Sequence, residues 1–404
     1  MAPMLSKMTL ALLLCLAASL LVSLRPAAAA PTWRAPDLET ALQEIALDGE
    51  TLTLHQALVR HRVPAISIAL IADYRIVGTF ADGVKQAGRR APVTPDTLIQ
   101  AASISKSVAA ATAMKLVQVG RLSLDGDVNR QLKSWQLRDY SPAPAERVTL
   151  RRLLGMTAGI NLSGFAGYAR HRPLPTLVEI LNGQPPAESV SVQAVASPGA
   201  QYAYSGGGYE IVEQLIADVT GRGLADMAQR LIFKPTGMRH SFFLQPLPPH
   251  LARHAASGHL ENGQPVAGQW RVFPELAAAG LWSTPADLAR FVIAMMDAFR
   301  GTSRRLLDQA IATEMLTRQA NDYYGLGFVV QGTGRSLCFL KQGHNTGYQN
   351  WLVGCPNTGQ GAVVMTNSDG GSALAQAVIQ ALARAFQWPA LGTLQDGVFT
   401  SAHQ

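Results

Sequence analysis

Cysteine is scarce: the chain has three in 404 residues, with no C-x-x-C pair and no Cys/His spacing of the kind that holds zinc. The sequence therefore calls for no metal, no cofactor and no dithiol redox chemistry. Charge is low as well, at 15% of residues against 48% hydrophobic ones, which excludes an intrinsically disordered chain. The basic residues form no run and do not alternate with aromatics, so a nucleic-acid partner is not indicated. No internal repeat or low-complexity segment occurs, and no G-x-S-x-G elbow is present. Of 34 basic residues only seven are lysines, which draws attention to where the lysines stand.

One long apolar run exists, Thr9 to Leu24, preceded by Lys7 and followed by Ala27-Ala28-Ala29-Ala30. This is the pattern of a secretory signal peptide over residues 1–30, with cleavage between Ala27 and Pro31 and a periplasmic or secreted product. The run is short for a spanning helix, so no stable membrane span is expected after cleavage; a retained anchor is the alternative. Without Lys7 and Arg25, 32 basic residues face 27 acidic ones, a net charge of about +5. The remaining 374 residues suffice for a large core.

Asp37 to Arg62 reads as one or two helices, Ala65–Ala72 and Arg75–Phe80 as a hairpin of buried strands, and residues 82–97 as a loop. A long apolar helix then runs to Gly120. Further helices are expected at Val148–Leu154, Glu210–Thr220, Leu224–Ile232, Pro285–Phe299 and Ala373–Phe386. Strands are expected at Tyr324–Val330, Leu337–Leu340, Trp351–Val353 and Ala362–Thr366. Strands at both ends with helices between them imply an α/β (α+β) fold: one antiparallel sheet, flanked by helices and interrupted by a helical subdomain. The expected organisation is a single domain over 31–386, with its sheet part near 37–100 and 255–386 and its helical part near 101–254. Residues 387–404 form a tail without clear signal.

The chemistry centres on Ser103-Ile104-Ser105-Lys106 at the head of the apolar helix. Positions i and i+3 share a helix face, so the Lys106 amine can reach the Ser103 hydroxyl and take its proton if burial lowers its basicity. The competing reading is an N-cap serine beside a lysine that reaches out to water. A second candidate is Tyr204-Ser205-Gly206 in a Gly-rich turn opening a helix, where a tyrosine near a lysine can relay a proton. A third is Lys341-Gln342-Gly343 at a strand end, supplying fixed positive charge beside a small residue. Packing tyrosines and a charged edge residue are the plain alternatives.

Taken in this order, the three motifs resemble the Ser-x-x-Lys, Tyr-x-Asn and Lys/His-x-Gly motifs of the serine β-lactamase and penicillin-binding family. The nearest branch holds class C β-lactamases, D-alanyl-D-alanine carboxypeptidases and related esterases. Similar flanking text covers roughly residues 50–386. The resemblance implies a β-lactamase/transpeptidase-like fold. It makes Ser103 the acylated nucleophile, Lys106 its base, Tyr204 the handler of the leaving-group proton and Lys341 the electrostatic partner. The oxyanion hole would combine the backbone N–H groups of Ser103 and His344, with Gly343, Gln342 and Gly206 beside the substrate; His344 as base of a Ser-His pair is the alternative. Gly206 stands where the β-lactamases carry asparagine and Gln342 where threonine is usual, and Ser-Asp-Asn is absent. An exported hydrolase of esters or D-amino-acid-type amides is therefore expected, acting on a small-molecule or peptidoglycan-derived substrate. A true class C-like β-lactamase and a noncatalytic cell-wall binder are the alternatives. The need for a neutral base favours an alkaline optimum. Oligomeric state is not indicated.

Cys338 and Cys355 remain after signal removal, and export would permit a disulfide. The sequence leaves the pairing open. A hairpin turn at residues 344–346 would set Cys338 opposite Leu352 and leave Cys355 about 10 Å further on, beyond disulfide reach without a bulge.

Overall fold

A strand that is apolar at nearly every position needs cover on both faces, and Ala65–Ala72, polar only at Ser67, obtains it. In the computed structural model, which describes residues 36–138, 147–319 and 322–388, all eight of its residues are buried. The expected signal peptide and most of the tail lie outside the described residues.

This strand, β1, pairs antiparallel with β2 (Arg75–Gly83) across Asp73 and Tyr74, whose φ values of 49° and 60° suit a two-residue turn that follows strand twist. Four strands arrive from the other end of the sequence: β3 (Val329–Gln331), β4 (Cys338–Asn345), β5 (Tyr348–Cys355) and β6 (Gln360–Thr366). The sheet order is β2-β1-β6-β5-β4-β3, every neighbour antiparallel. As expected from the strand pattern, it is a helix-flanked antiparallel sheet whose chain is interrupted by a mainly helical stretch.

The register separates its two faces. Ala69, Ile71, Phe339, Leu352, Val363 and Met365 point to one side, where they join one continuous core with α1 (Ile104–Gln118), α2 (Gly206–Thr220) and α3 (Pro285–Phe299). On this side Gly354 lets α3 approach: a Cβ there would lie 2.5 Å from Val292 Cγ1. On the other face lies Thr366, against which the head of α4 (Gly371–Ala385) packs. Lys341, Gly343 and Asn345 share the face turned toward α1, whereas Gln342 and His344 share the other with Trp351 and Gln349.

Helix α1 has twelve buried residues among fifteen, including Lys106, so it is the central helix rather than a surface one. It gives way at Val119, with Gly120 at φ +70° reversing the chain.

Three expectations need correction. Asp37–Arg62 is not purely helical: helices Pro36–Ala41 and Leu54–Arg60 enclose a small hairpin, Ile45–Leu47 with Glu50–Leu52. Its turn is Asp48-Gly49, both at positive φ; three-residue strands are too short to display alternation. The strand expected at Tyr324–Val330 shrinks to Val329–Gln331, because Gly327 takes φ +91° where the chain passes over α1 and a Cβ would meet Ala110 Cβ at 2.7 Å. Finally, the β4–β5 turn is Thr346-Gly347, with Asn345 paired to Tyr348. That register puts Cys338 opposite Cys355, and the two form a disulfide with Cα atoms 4.1 Å apart. The obstacle inferred from a turn at 344–346 disappears with the three-residue shift in pairing.

Candidate active site

The approach to Ser103 is built by a short bridge: Ile99–Gln100 pairs with Trp282–Ser283, and Ala101 N–H donates to the Leu281 carbonyl. Ala102 follows at φ +53°, an uncommon conformation for a residue with a side chain, and sets Ser103 at the head of α1. Ser105 locks this turn, donating to the Ala102 carbonyl at 2.5 Å and accepting from Leu281 N–H at 3.0 Å.

Ser103 occupies the N-cap position, yet its side chain makes no cap bond. Its Oγ instead accepts from Lys106 Nζ at 3.1 Å. Lys106 is 1% exposed and does not reach water; its second bond goes to the Ala278 carbonyl at 2.8 Å. The i,i+3 spacing therefore has the geometry expected of it, and neither plain alternative describes these two side chains.

Tyr204 reaches the same point from just before α2. Ser205, its neighbour, is the true cap of that helix, accepting from Gly208 N–H at 2.8 Å. The helix begins at Gly206, four residues earlier than the apolar pattern suggests, because the cap and three glycines carry no periodic signal. The Tyr204 hydroxyl accepts from Lys341 Nζ at 3.2 Å. Lys106 and Lys341 nitrogens lie 5.0 and 4.6 Å from its ring centre. Burial by itself would raise the phenol, but the charges of Lys106 and Lys341 and hydrogen bonds from Ser103 and Lys341 outweigh it and bring it down to about 7. Burial lowers the Lys341 ammonium, Tyr204 opposes this, and the charge of Lys106 adds to it.

Gly343 decides how closely β4 approaches. A Cβ there would sit 2.2 Å from the Ala101 carbonyl oxygen, so only glycine lets the strand lie against the turn before Ser103. Strand β3 covers β4 only at residues 338–340, which leaves residues 341–345 with an open edge. Antiparallel pairs alternate in bonding, and counting from the pair Asn345–Tyr348 that flanks the turn, the backbone N–H of His344 points to that edge. The His344 ring is on the opposite face from Lys341, with Nδ1 2.9 Å from Gln349 Nε2.

These groups line a cleft of about 630 Å³, which includes Ser103, Tyr204, Lys341, Gln342 and His344. Gly206 is beside it rather than in its lining: a Cβ there would meet the Phe165 ring at 3.1 Å and the Ser163 carbonyl at 3.3 Å. Among the described residues no cluster of three His, Cys, Asp or Glu is placed to hold a metal.

Sequence reasoning missed the supports. Asn345 Nδ2 donates to Gln100 Oε1 at 2.8 Å, and Asn350 Nδ2 to the Gln100 carbonyl at 2.8 Å, tying β4 and β5 to the bridge that precedes Ser103. Glu210 and Glu213 on α2 are buried beneath Ala277 and Ala278. The available signal was a pair of acids at i and i+3 interleaved with the apolar residues Tyr209, Ile211, Val212, Leu215 and Ile216.

A family model described as Beta-lactamase matches residues 38–385. Penicillin-binding protein 4 of Amycolatopsis lactamdurans is 26% identical over 323 residues, spanning 76% of this chain and 81% of its own. The octameric penicillin-binding protein homologue from Pyrococcus abyssi superposes with a TM-score of 0.68 at 25% identity, over 83% of this chain and 76% of that one. The D-amino acid amidase from Ochrobactrum anthropi SV3 shares the fold, with a TM-score of 0.66 at 24% identity over 87% of this chain and 98% of its own. With the family model covering most of its length, the chain belongs to the Beta-lactamase family.

Proposed function

We propose that this protein is an exported serine hydrolase that forms an acyl-enzyme on Ser103 and hydrolyses esters or D-amino-acid-type amides. The observation that carries the reading is the convergence of Lys106 and Tyr204 on one serine hydroxyl, with Lys341 bonded to the tyrosine, beside an open strand edge. Lys106 Nζ donates to Ser103 Oγ, and the serine proton is directed at Tyr204, which the charges of Lys106 and Lys341, against the effect of burial, keep partly ionised near neutrality. Tyr204 then accepts that proton as Oγ attacks the carbonyl carbon. The backbone N–H groups of Ser103 and His344 hold the developing oxyanion. Tyr204 returns the proton to the leaving group, and a water activated by the same phenolate releases the acid. Lys341 favours the phenolate electrostatically; the resemblance assigns the base to Lys106, whereas this route gives proton acceptance to Tyr204 and leaves Lys106 as a donor to Oγ.

The absence of an asparagine at Gly206 supports the substrate class. Gly206, with the Phe165 ring close by, supplies no side-chain amide to an acylamino group at the position beside the cleft. This supports simple esters and small D-amino-acid amides over β-lactams, and the fold shared with the D-amino acid amidase is consistent with it. The purified protein is expected to cleave p-nitrophenyl esters or D-amino acid p-nitroanilides well above its Ser103→Ala variant. Turnover of a chromogenic cephalosporin is expected to be at least tenfold slower, roughly the loss of one good hydrogen bond to a buried group. A cephalosporin rate exceeding the ester rate would establish the β-lactamase alternative instead.

Export is supported by the leader pattern and by the Cys338–Cys355 bridge, which belongs to an oxidising compartment. Protein recovered from the periplasm or medium is expected to start between Ala28 and Pro31 and to contain no free thiol. Cys338→Ser should lower its stability in urea by about 3 kcal/mol, the chain-entropy value for a loop of this size. Recovery with both thiols free would count against export.

A further inference from the structure

The short helix Leu276–Ala279 has no cap of its own: Glu275 at its head makes no side-chain bond to it, and Ala277 and Ala278 are buried. The first N–H groups of a helix need outside acceptors. Helix α2 supplies them: Glu213 Oε2 accepts from Ala277 N–H at 2.8 Å, and Glu210 Oε1 from Ala278 N–H at 3.1 Å. The two acids stand at i and i+3, so they share the face of α2 that meets the short helix. Ala278 is also the residue whose carbonyl accepts from Lys106 Nζ at 2.8 Å, and Lys106 in turn holds Ser103 Oγ at 3.1 Å. A continuous line of contacts runs from two buried carboxyls, through one alanine, to the amine and the hydroxyl.

We infer that Glu210 and Glu213 are positioning residues for Lys106, holding Ala278 where its carbonyl fixes the amine against Ser103. This rests on the acyl-enzyme reading above. The carboxyls act here as neutral acceptors rather than as charges. Burial drives both up, Glu213 to about 8 and Glu210 well above the ordinary carboxyl range. Glu213 and Glu275 raise Glu210 further, while the Ala278 N–H and the charge of Lys106 oppose them. Glu210 Oε2 is buried without a hydrogen-bond partner among the described residues, a position an ionised carboxylate would occupy only at high cost. A glutamine carbonyl can accept the same N–H without any charge, and a leucine of similar size cannot.

The test is the rate at which a fluorophosphonate labels Ser103, together with p-nitrophenyl ester kinetics, in Glu210→Gln, Glu213→Gln, Glu210→Leu and Glu213→Leu. Each leucine variant is expected to label about tenfold or more slowly and to lose kcat in the same proportion, with KM within about twofold, because binding groups are untouched. The glutamine variants should stay within about threefold of wild type and keep its pH profile, whereas the leucine variants displace the acid limb of the labelling profile. Folded leucine variants that label at the wild-type rate would overturn the inference, as would glutamine variants as slow as the leucine ones. If the leucine variants do not fold, the double variant Glu210→Gln/Glu213→Gln decides: labelling at the wild-type rate supports the inference and a tenfold loss rejects it. Absence of labelling in wild type sinks the acyl-enzyme reading itself, and this inference with it.

Discussion

Replacing Ser103 with alanine is expected to reduce ester hydrolysis by roughly 10³- to 10⁶-fold, the range seen when the nucleophile of a covalent hydrolase is removed. Fluorophosphonate labelling should vanish with it. The loss is chemical rather than structural, because Ser103 Oγ does not cap α1 and the buried Lys106 keeps its bond to the Ala278 carbonyl. Thermal stability should change by only about 0.5–1.5 kcal/mol, the net worth of one hydrogen bond. Intact-mass analysis separates this from nonspecific reactivity: wild type gains one adduct, located to the peptide containing Ser103. Equal labelling of Ser103→Ala would falsify the assignment of the nucleophile.

Tyr204→Phe should cost about 10²- to 10⁴-fold in kcat/KM, the usual contribution of a positioned proton acceptor. The pH dependence carries the sharper test. In wild type the phenol, brought down to about 7, must lose its proton to accept that of Ser103. The active fraction therefore rises with pH through about 7 and is nearly complete one to two units above; below 7, kcat/KM should fall about tenfold per pH unit. At the alkaline end activity should decline as Lys341 loses its proton, at a pH below its ordinary 10.5 because burial lowers it. The profile is thus a bell with its acid limb near neutrality, consistent with the alkaline side expected from the motifs. Tyr204→Phe should abolish the acid limb and leave a flat, slow reaction. An unchanged limb near 7 in that variant would transfer the titration to another group.

Much of the site was legible because its parts are local. Ser103 and Lys106 need only the helical repeat to meet, and α1 shows its burial in the apolar text around them. The alternating strand that leads to Lys341 is also written in short range, although it runs on through Gly343 to Asn345 instead of ending at Leu340. What failed was finer or longer in range. Displacing the β4–β5 turn changed which residues oppose each other, and with it the reading of Cys338 and Cys355, since strand pairing moves as a unit. The Asp48-Gly49 hairpin escaped because its strands are too short for a periodic signal.

The sequence by itself determined the antiparallel sheet interrupted by helices, the serine–lysine pair and the order of the three motifs, all consequences of local periodicity and spacing. Only the tertiary structure decided that Tyr204 lies between two buried amines, that a Cβ at residue 343 would strike the Ala101 carbonyl, and that Glu210 and Glu213 support Lys106 through Ala278. Those contacts join residues between 64 and 242 positions apart in the chain. Their energies come from burial and from charges brought together by packing, neither of which leaves a pattern in nearby sequence.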